Sequence, residues 1–115
     1  MKVAIIGSRN FTNYNLLRKT LIERNMDIEK VVSGGASGAD RMGERFADEF
    51  NIKKEIYLPD WKKYGKSAGL VRNKNIVDNS DVVFAFWDGE SKGTLHSINI
   101  AKKALKEVVI TKYTK

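Results

Sequence analysis

The chain has 115 residues, 42% of them hydrophobic and 30% charged, which suffices for one compact core flanked by helical layers and is too little for two domains. Its 21 Lys and Arg against 14 Asp and Glu leave a net charge of +7, which suits an anionic partner of some kind or, more simply, lysines that keep a small domain solvated. With no cysteine, no apolar run of membrane-spanning length and Met1 leading directly into a strand, disulfides and thiolate chemistry are excluded, and the expectation is a cytoplasmic protein with no membrane association.

Val3-Ala4-Ile5-Ile6 is a continuous apolar run closed by Gly7, the signature of a strand buried on both faces. A helix should follow, capped by Asn13 or Asn15, with Leu16, Leu17, Thr20, Leu21 and Arg24 along one stripe. Val31 and Val32 read as a short second strand ending at Ser33, and a helix over 39–50 then places Met42, Phe46 and Phe50 on one face. Ile56-Tyr57-Leu58 reads as a third strand stopped by Pro59, and a polar, aromatic loop leads to a helix over 68–79. Val82-Val83-Phe84-Ala85-Phe86 is the most hydrophobic strand, followed by a helix over 94–105 and a last strand, Val108-Val109-Ile110. Five strands alternating with four helices, each connection long enough for a right-handed crossover, predict an α/β domain over 1–115. Its core would be a doubly wound parallel sheet with helices on both faces.

Three glycine-bearing turns follow apolar strands: Gly7-Ser8-Arg9, the segment from Ser33 to Gly38, and the segment from Asp88 to Thr94. In a parallel sheet all three fall along the carboxyl edge, where ligands bind near the point at which strand order reverses. Glycine lets a backbone approach an anion closely, and the helix each turn opens favours negative charge at its start.

The middle turn, with Gly34, Gly35 and Gly38, carries neither the Gly-Lys-Ser/Thr of a P-loop nor the G-x-G-x-x-G dinucleotide pattern. It either offers several amides to a phosphate or only permits a tight turn and close helix packing. Asp40 is placed to bond a ribose hydroxyl or to accept amides in the first helical turn. In the first turn Gly7 permits close approach, Ser8 offers a hydroxyl, and Arg9 offers a planar fork for phosphate or carboxylate. In the third, Gly93 and Thr94 could present amides and a hydroxyl, or Ser91 or Thr94 could simply cap the helix.

Asp88 and Glu90 are acid and base candidates, although carboxylates beside an anion site repel its ligand. The segment from Asp60 to Lys66 interleaves Trp61 and Tyr64 with lysines, as expected where a base stacks and a phosphate is neutralised; a lid, or a cover over the sheet end, are the alternatives. Arg72 and Asn73 follow one helical turn after Gly69, so Arg72 can reach the same edge as Arg9. His96 is the only histidine, which rules out a histidine-based metal cluster; no metal and no resident cofactor are expected. Ser33, Ser37 and Ser91 lack an identifiable base for a nucleophilic role.

Taken in order, G-S-R-N-F at 7–11, S-G-G-A-S-G-A-D at 33–40, the segment 61–66, A-G-x-x-R-N at 68–73 and F-W-D-G-x-S-x-G-T at 86–94 span nearly the whole chain. The series resembles the small YspA-like family of the SLOG superfamily, which also contains the cytokinin-activating phosphoribohydrolases and the DNA-processing protein DprA. The resemblance implies a Rossmann-like domain that binds nucleotides or nucleotide-derived molecules. Carried over by motif, it marks Gly7, Ser8, Arg9, Gly34, Gly35, Asp40, Arg72, Asn73, Gly93 and Thr94 as ligand-site residues. The phosphoribohydrolases have a G-G-x-G-T-x-x-E motif with a glutamate that contributes to glycosidic cleavage; here Ser97 stands at that place. Asp40, Asp88 or Glu90 would have to substitute.

Three functions therefore compete. The favoured one is a binding module for sensing or sequestering a nucleotide, with its phosphate on the Ser33 to Gly38 and Gly93-Thr94 amides, Arg9 or Arg72 neutralising charge, and Trp61 or Tyr64 against the base. The second is an N-glycosidic hydrolase of nucleoside monophosphates using Arg72 with Asp88 or Glu90. The third is single-stranded nucleic-acid binding, suggested by the net charge and the lysine-aromatic segment. Superfamily relatives that pair through helices beside the site imply a homodimer.

Overall fold

Val3, Ala4, Ile5 and Ile6 are at most 5% exposed, and their side chains divide between two cores. Val3 and Ile5 face one side of a sheet, Ala4 and Ile6 the other, as the two-residue period of a strand requires. The computed structural model describes residues 1–114; Lys115, the last residue of the expected domain, lies outside them.

Five strands, β1 (Lys2–Gly7), β2 (Lys30–Ser33), β3 (Lys53–Ile56), β4 (Val82–Trp87) and β5 (Glu107–Lys112), form one all-parallel sheet in the order β3-β2-β1-β4-β5. Helices α1 (Tyr14–Glu23) and α2 (Ala39–Glu49) bury Leu17, Leu21, Phe46 and Ala47 against Val3, Ile5, Val31, Phe84 and Phe86. Helices α4 (Ala68–Asp78) and α5 (Lys92–Lys103) bury Ile76, Val77, Ile98 and Ala101 against Ala4, Ile6, Val32, Val83 and Ala85. Each large apolar side chain so buried contributes about 1.5–3 kcal/mol before entropy is counted. The doubly wound, Rossmann-like arrangement expected from the alternation is present.

Two expectations need correction. The third strand is Lys53–Ile56, not residues 56–58. It is a sheet edge, where charged side chains discourage further pairing, and Lys53 and Lys54 stand exposed while Glu55 bonds Lys30 of β2 at 2.6 Å. The chain hugs β2 for one more residue, through the Tyr57 amide and Ser33 carbonyl at 2.9 Å, before Leu58 turns out to solvent. The second correction is that the loop before α4 contains a short helix, α3 (Trp61–Tyr64). Asp60 caps it, its Oδ1 accepting from the Lys63 amide at 3.1 Å.

Because β1, β2 and β3 run outward one way and β4 and β5 the other, strand order reverses between β1 and β4. Gly7 pairs with Phe86 at that point, and a Cβ on Gly7 would lie 2.1 Å from the Phe86 carbonyl oxygen. The two loops leaving these strands part around a cleft.

Candidate ligand cleft

Ser8 ties the walls of the cleft together. It is 2% exposed; its amide donates to the Phe86 carbonyl at 3.0 Å, and its carbonyl accepts from the Phe11 and Ala39 amides at 3.2 Å each. Its hydroxyl accepts from the Asp88 amide at 3.1 Å. The hydroxyl expected at a ligand thus holds the β1 loop to the β4 loop. Gly38, the residue before α2, has φ of 77° and its Cβ position falls 2.3 Å from the Ser8 carbonyl oxygen, so only glycine fits where α2 docks on this knot.

The second turn is braced from within. Ser33 Oγ donates to the Asp40 carbonyl at 3.3 Å and accepts from the Gly35 amide at 3.4 Å, while Asp40 Oδ2 accepts from the Ala36 amide at 3.2 Å. From across the cleft, Arg72 of α4 donates through Nη1 to the Gly34 carbonyl at 2.8 Å and through Nε to Asn73 Oδ1 at 3.0 Å. Asn73 in turn reaches the start of α5, its Nδ2 donating to the Gly93 carbonyl at 3.4 Å and lying 3.3 Å from His96 Nδ1.

The cleft has two adjoining compartments that share part of their lining. The smaller, about 100 Å³, is lined by Gly7, Arg9, Ala36, Asp40, Arg72, Asn73, Ser91, Gly93, Thr94 and Ser97 above Ile6 and Ile76. The larger, about 400 Å³, adds Gly34, Gly35, Leu58, Pro59, Trp61, Lys66, Gly69 and Leu70. Arg9, Ala36, Arg72, Asn73 and Gly93 border both. Ten of the residues named from sequence therefore meet in one place, whereas Ser8, Ser33 and Gly38 stand behind the wall as its framework.

The first turn of α5 also opens onto the smaller compartment. Ser91 is the cap, its Oγ accepting from the Thr94 amide at 3.4 Å and lying 3.1 Å from Thr94 Oγ1. The leading amides of a helix have no partner within it, and the dipole makes this end positive. A Cβ on Gly93 would meet nothing within 4 Å, so no neighbouring protein atom demands glycine there.

Burial governs the charges. Asp40 is 6% exposed, and its removal from water pushes its carboxyl up to about 6, against the opposing pull of the Ala36 amide, Arg72 and the Gly34 amide. Burial also lowers the Arg72 pKa, opposed by Asp40 and reinforced by Arg9. Two guanidinium groups and one reluctant carboxylate leave the cleft electropositive.

Asp88 and Glu90 lie elsewhere, along a separate groove of about 520 Å³ with Lys112, Tyr113 and Thr114. Asp88 Oδ1 accepts from the Glu90 and Ser91 amides at 2.9 Å each, and Asn10 donates to Oδ2 at 3.3 Å. The Ser91 and Glu90 bonds hold its carboxyl down to about 2. Asp40, not this pair, is the carboxylate that shares a cavity with Arg72. Trp61 and Tyr64 remain 59% and 41% exposed and so do not seal the sheet end; Trp61 lines the larger compartment, with its Cη2 3.9 Å from the Cβ position of Gly69.

Sequence reasoning left out Ala36, Leu58 and Ser97, which line the cleft, and His96, which lines neither compartment but contacts Asn73. Ala36 lay inside the motif already singled out, and Leu58 was hidden in an apolar run that reads as strand. For His96 no local pattern gives a signal, because its partner Asn73 is 23 residues away. No group of three or more His, Cys, Asp and Glu among the described residues could hold a metal ion, and no helix among them is long and apolar enough to cross a membrane.

An all-parallel 3-2-1-4-5 sheet with glycine turns converging at its switch point defines a small Rossmann-like domain. The family model of the YspA, cpYpsA-related SLOG family matches residues 1–64, and the chain belongs to that family. It is 42% identical over 112 residues to the Gene 61 protein of Mycobacterium phage D29, covering 90% of each chain. Among solved structures it is similar in fold to DNA processing protein A (DprA) from Streptococcus pneumoniae, with a TM-score of 0.78 at 18% identity. That likeness covers 95% of this chain but only 49% of the DprA chain.

Proposed function

We propose that the cleft between the β1 and β4 loops binds a nucleotide or nucleotide-derived ligand. The observation that carries this reading is that Arg9 and Arg72, from different elements, border both compartments beside the amide-rich start of α5. A phosphate in the smaller compartment meets guanidinium donors and helix amides, while the nucleoside lies in the larger one against Trp61, Leu58 and Leu70. Gly93 fits the same reading: the space its missing Cβ leaves open is what an approaching phosphate needs. Membership of a SLOG family and a fold shared with a DNA-processing protein favour ligands of this class.

The test is a thermal-shift comparison of purified protein with nucleoside monophosphates, triphosphates, cyclic nucleotides, dinucleotides and inorganic phosphate. At least one nucleotide should raise Tm, and Arg72→Ala should abolish the rise. A panel that leaves Tm unmoved removes the proposal.

Asp40 keeps a second reading in view. A buried carboxyl with a raised pKa beside Arg72 is suited to donating a proton to a departing base, as N-glycosidic hydrolysis of a nucleoside monophosphate requires. Chromatography of every stabilising nucleotide decides between the two: an unaltered ligand means a sensing or sequestering module, released base a hydrolase.

A further inference from the structure

The side chain that fixes Arg72 is itself fixed by the single imidazole of the chain. Arg72 Nε lies 3.0 Å from Asn73 Oδ1, and Asn73 Nδ2 lies 3.3 Å from His96 Nδ1. A guanidinium carries only donors, so the amide must turn its oxygen to Arg72 and its NH2 to His96. An NH2 group facing a ring nitrogen needs that nitrogen to accept. Nδ1 is therefore bare, and the neutral ring carries its proton on Nε2.

We propose that His96 is a positioning residue for the anion site: by accepting from Asn73 it locks the amide orientation that presents Oδ1 to Arg72 and so sets the plane of the guanidinium. This rests on the nucleotide-binding reading of the cleft. Asn73 is 8% exposed, so water offers its amide little replacement for a lost partner. Without the imidazole its NH2 keeps only the Gly93 carbonyl, at 3.4 Å. Arg72 would then rely on its remaining bond to the Gly34 carbonyl, about which the guanidinium can swing. His96 acts through Asn73 and need not touch the ligand.

Two measurements test this, one of them independent of any ligand. Because the chain contains one histidine, the imidazole 15N spectrum reports His96 alone. In the ligand-free protein the neutral ring should show only the Nε2–H tautomer, and Asn73→Leu should show a mixture; an Nδ1–H tautomer or a mixture in the wild type overturns the proposal. For binding, calorimetry with adenosine monophosphate should show His96→Leu weakening affinity about fivefold and His96→Asn, whose Oδ1 replaces Nδ1 as acceptor, staying within about twofold of wild type. Equal affinity of wild type and His96→Leu also overturns it. If the wild type binds no nucleotide, the reading of the cleft fails, while the spectrum still decides whether His96 fixes Asn73.

Discussion

Arg72 and Asp40 approach each other across a glycine: a Cβ built on Gly34 would lie 2.8 Å from Arg72 Nη1 and 2.8 Å from Asp40 Oδ2. The space for a methyl group is already filled by the two charged side chains that define the cleft. Gly34→Ala should therefore push them apart, lowering stability by about 1–3 kcal/mol and Tm by several degrees. Urea unfolding checks the first effect, and titration with the best nucleotide checks the accompanying loss of affinity. Unchanged stability and binding would mean the arginine and aspartate are not held as described.

The raised pKa of Asp40 makes stability depend on pH in a definite direction. The folded protein holds this proton up to about 6 whereas an unfolded chain releases it near 3.8. Between those values the folded state binds more protons, so stability falls as pH rises through the window, by on the order of 3 kcal/mol. Asp40→Asn keeps an acceptor for the Ala36 amide and cannot ionise. Its stability minus that of the wild type should grow from pH 4 to about pH 6 and level off above. A difference that stays flat across the window would show that Asp40 is not desolvated.

Trp61 separates the two compartments experimentally. It borders the larger and not the smaller, and at 59% exposure it contributes little to the core. Trp61→Ala should leave Tm nearly unchanged, weaken adenosine monophosphate by about 1–3 kcal/mol, and leave inorganic phosphate binding intact. Equal weakening of both ligands would place the phosphate in the wrong compartment.

The inner strands were legible because burial on both faces leaves an unbroken apolar run, as in Val3 to Ile6 and Val82 to Phe86. β3 was misplaced for the converse reason. An edge strand carries its charges on the strand itself, and the apolar run at 56–58 is divided: Ile56 ends β3, Tyr57 packs against the core, and Leu58 lines the cleft beside Gly35. Asp60 was the missed sign of α3, a capping residue just before its first turn. Within the site, glycines and arginines announced themselves as motifs. The division of labour did not, because whether Ser8 or Ser33 faces a ligand or the wall depends on loops that only tertiary packing brings together.

The Ser8 knot and the Arg72 bridge also decide when the cleft can exist. Arg9, Gly34, Arg72 and Gly93 come from four successive βα segments, and the Arg9 and Gly93 walls meet only once β4 has inserted beside β1. Residues 1–64 alone would carry the most distinctive motifs and no cleft. Occupancy is accordingly a report on the completed domain. A bound ligand should slow amide hydrogen exchange most in the central strands β1 and β4, and least in the outer strand β5, which contributes no residue to either compartment.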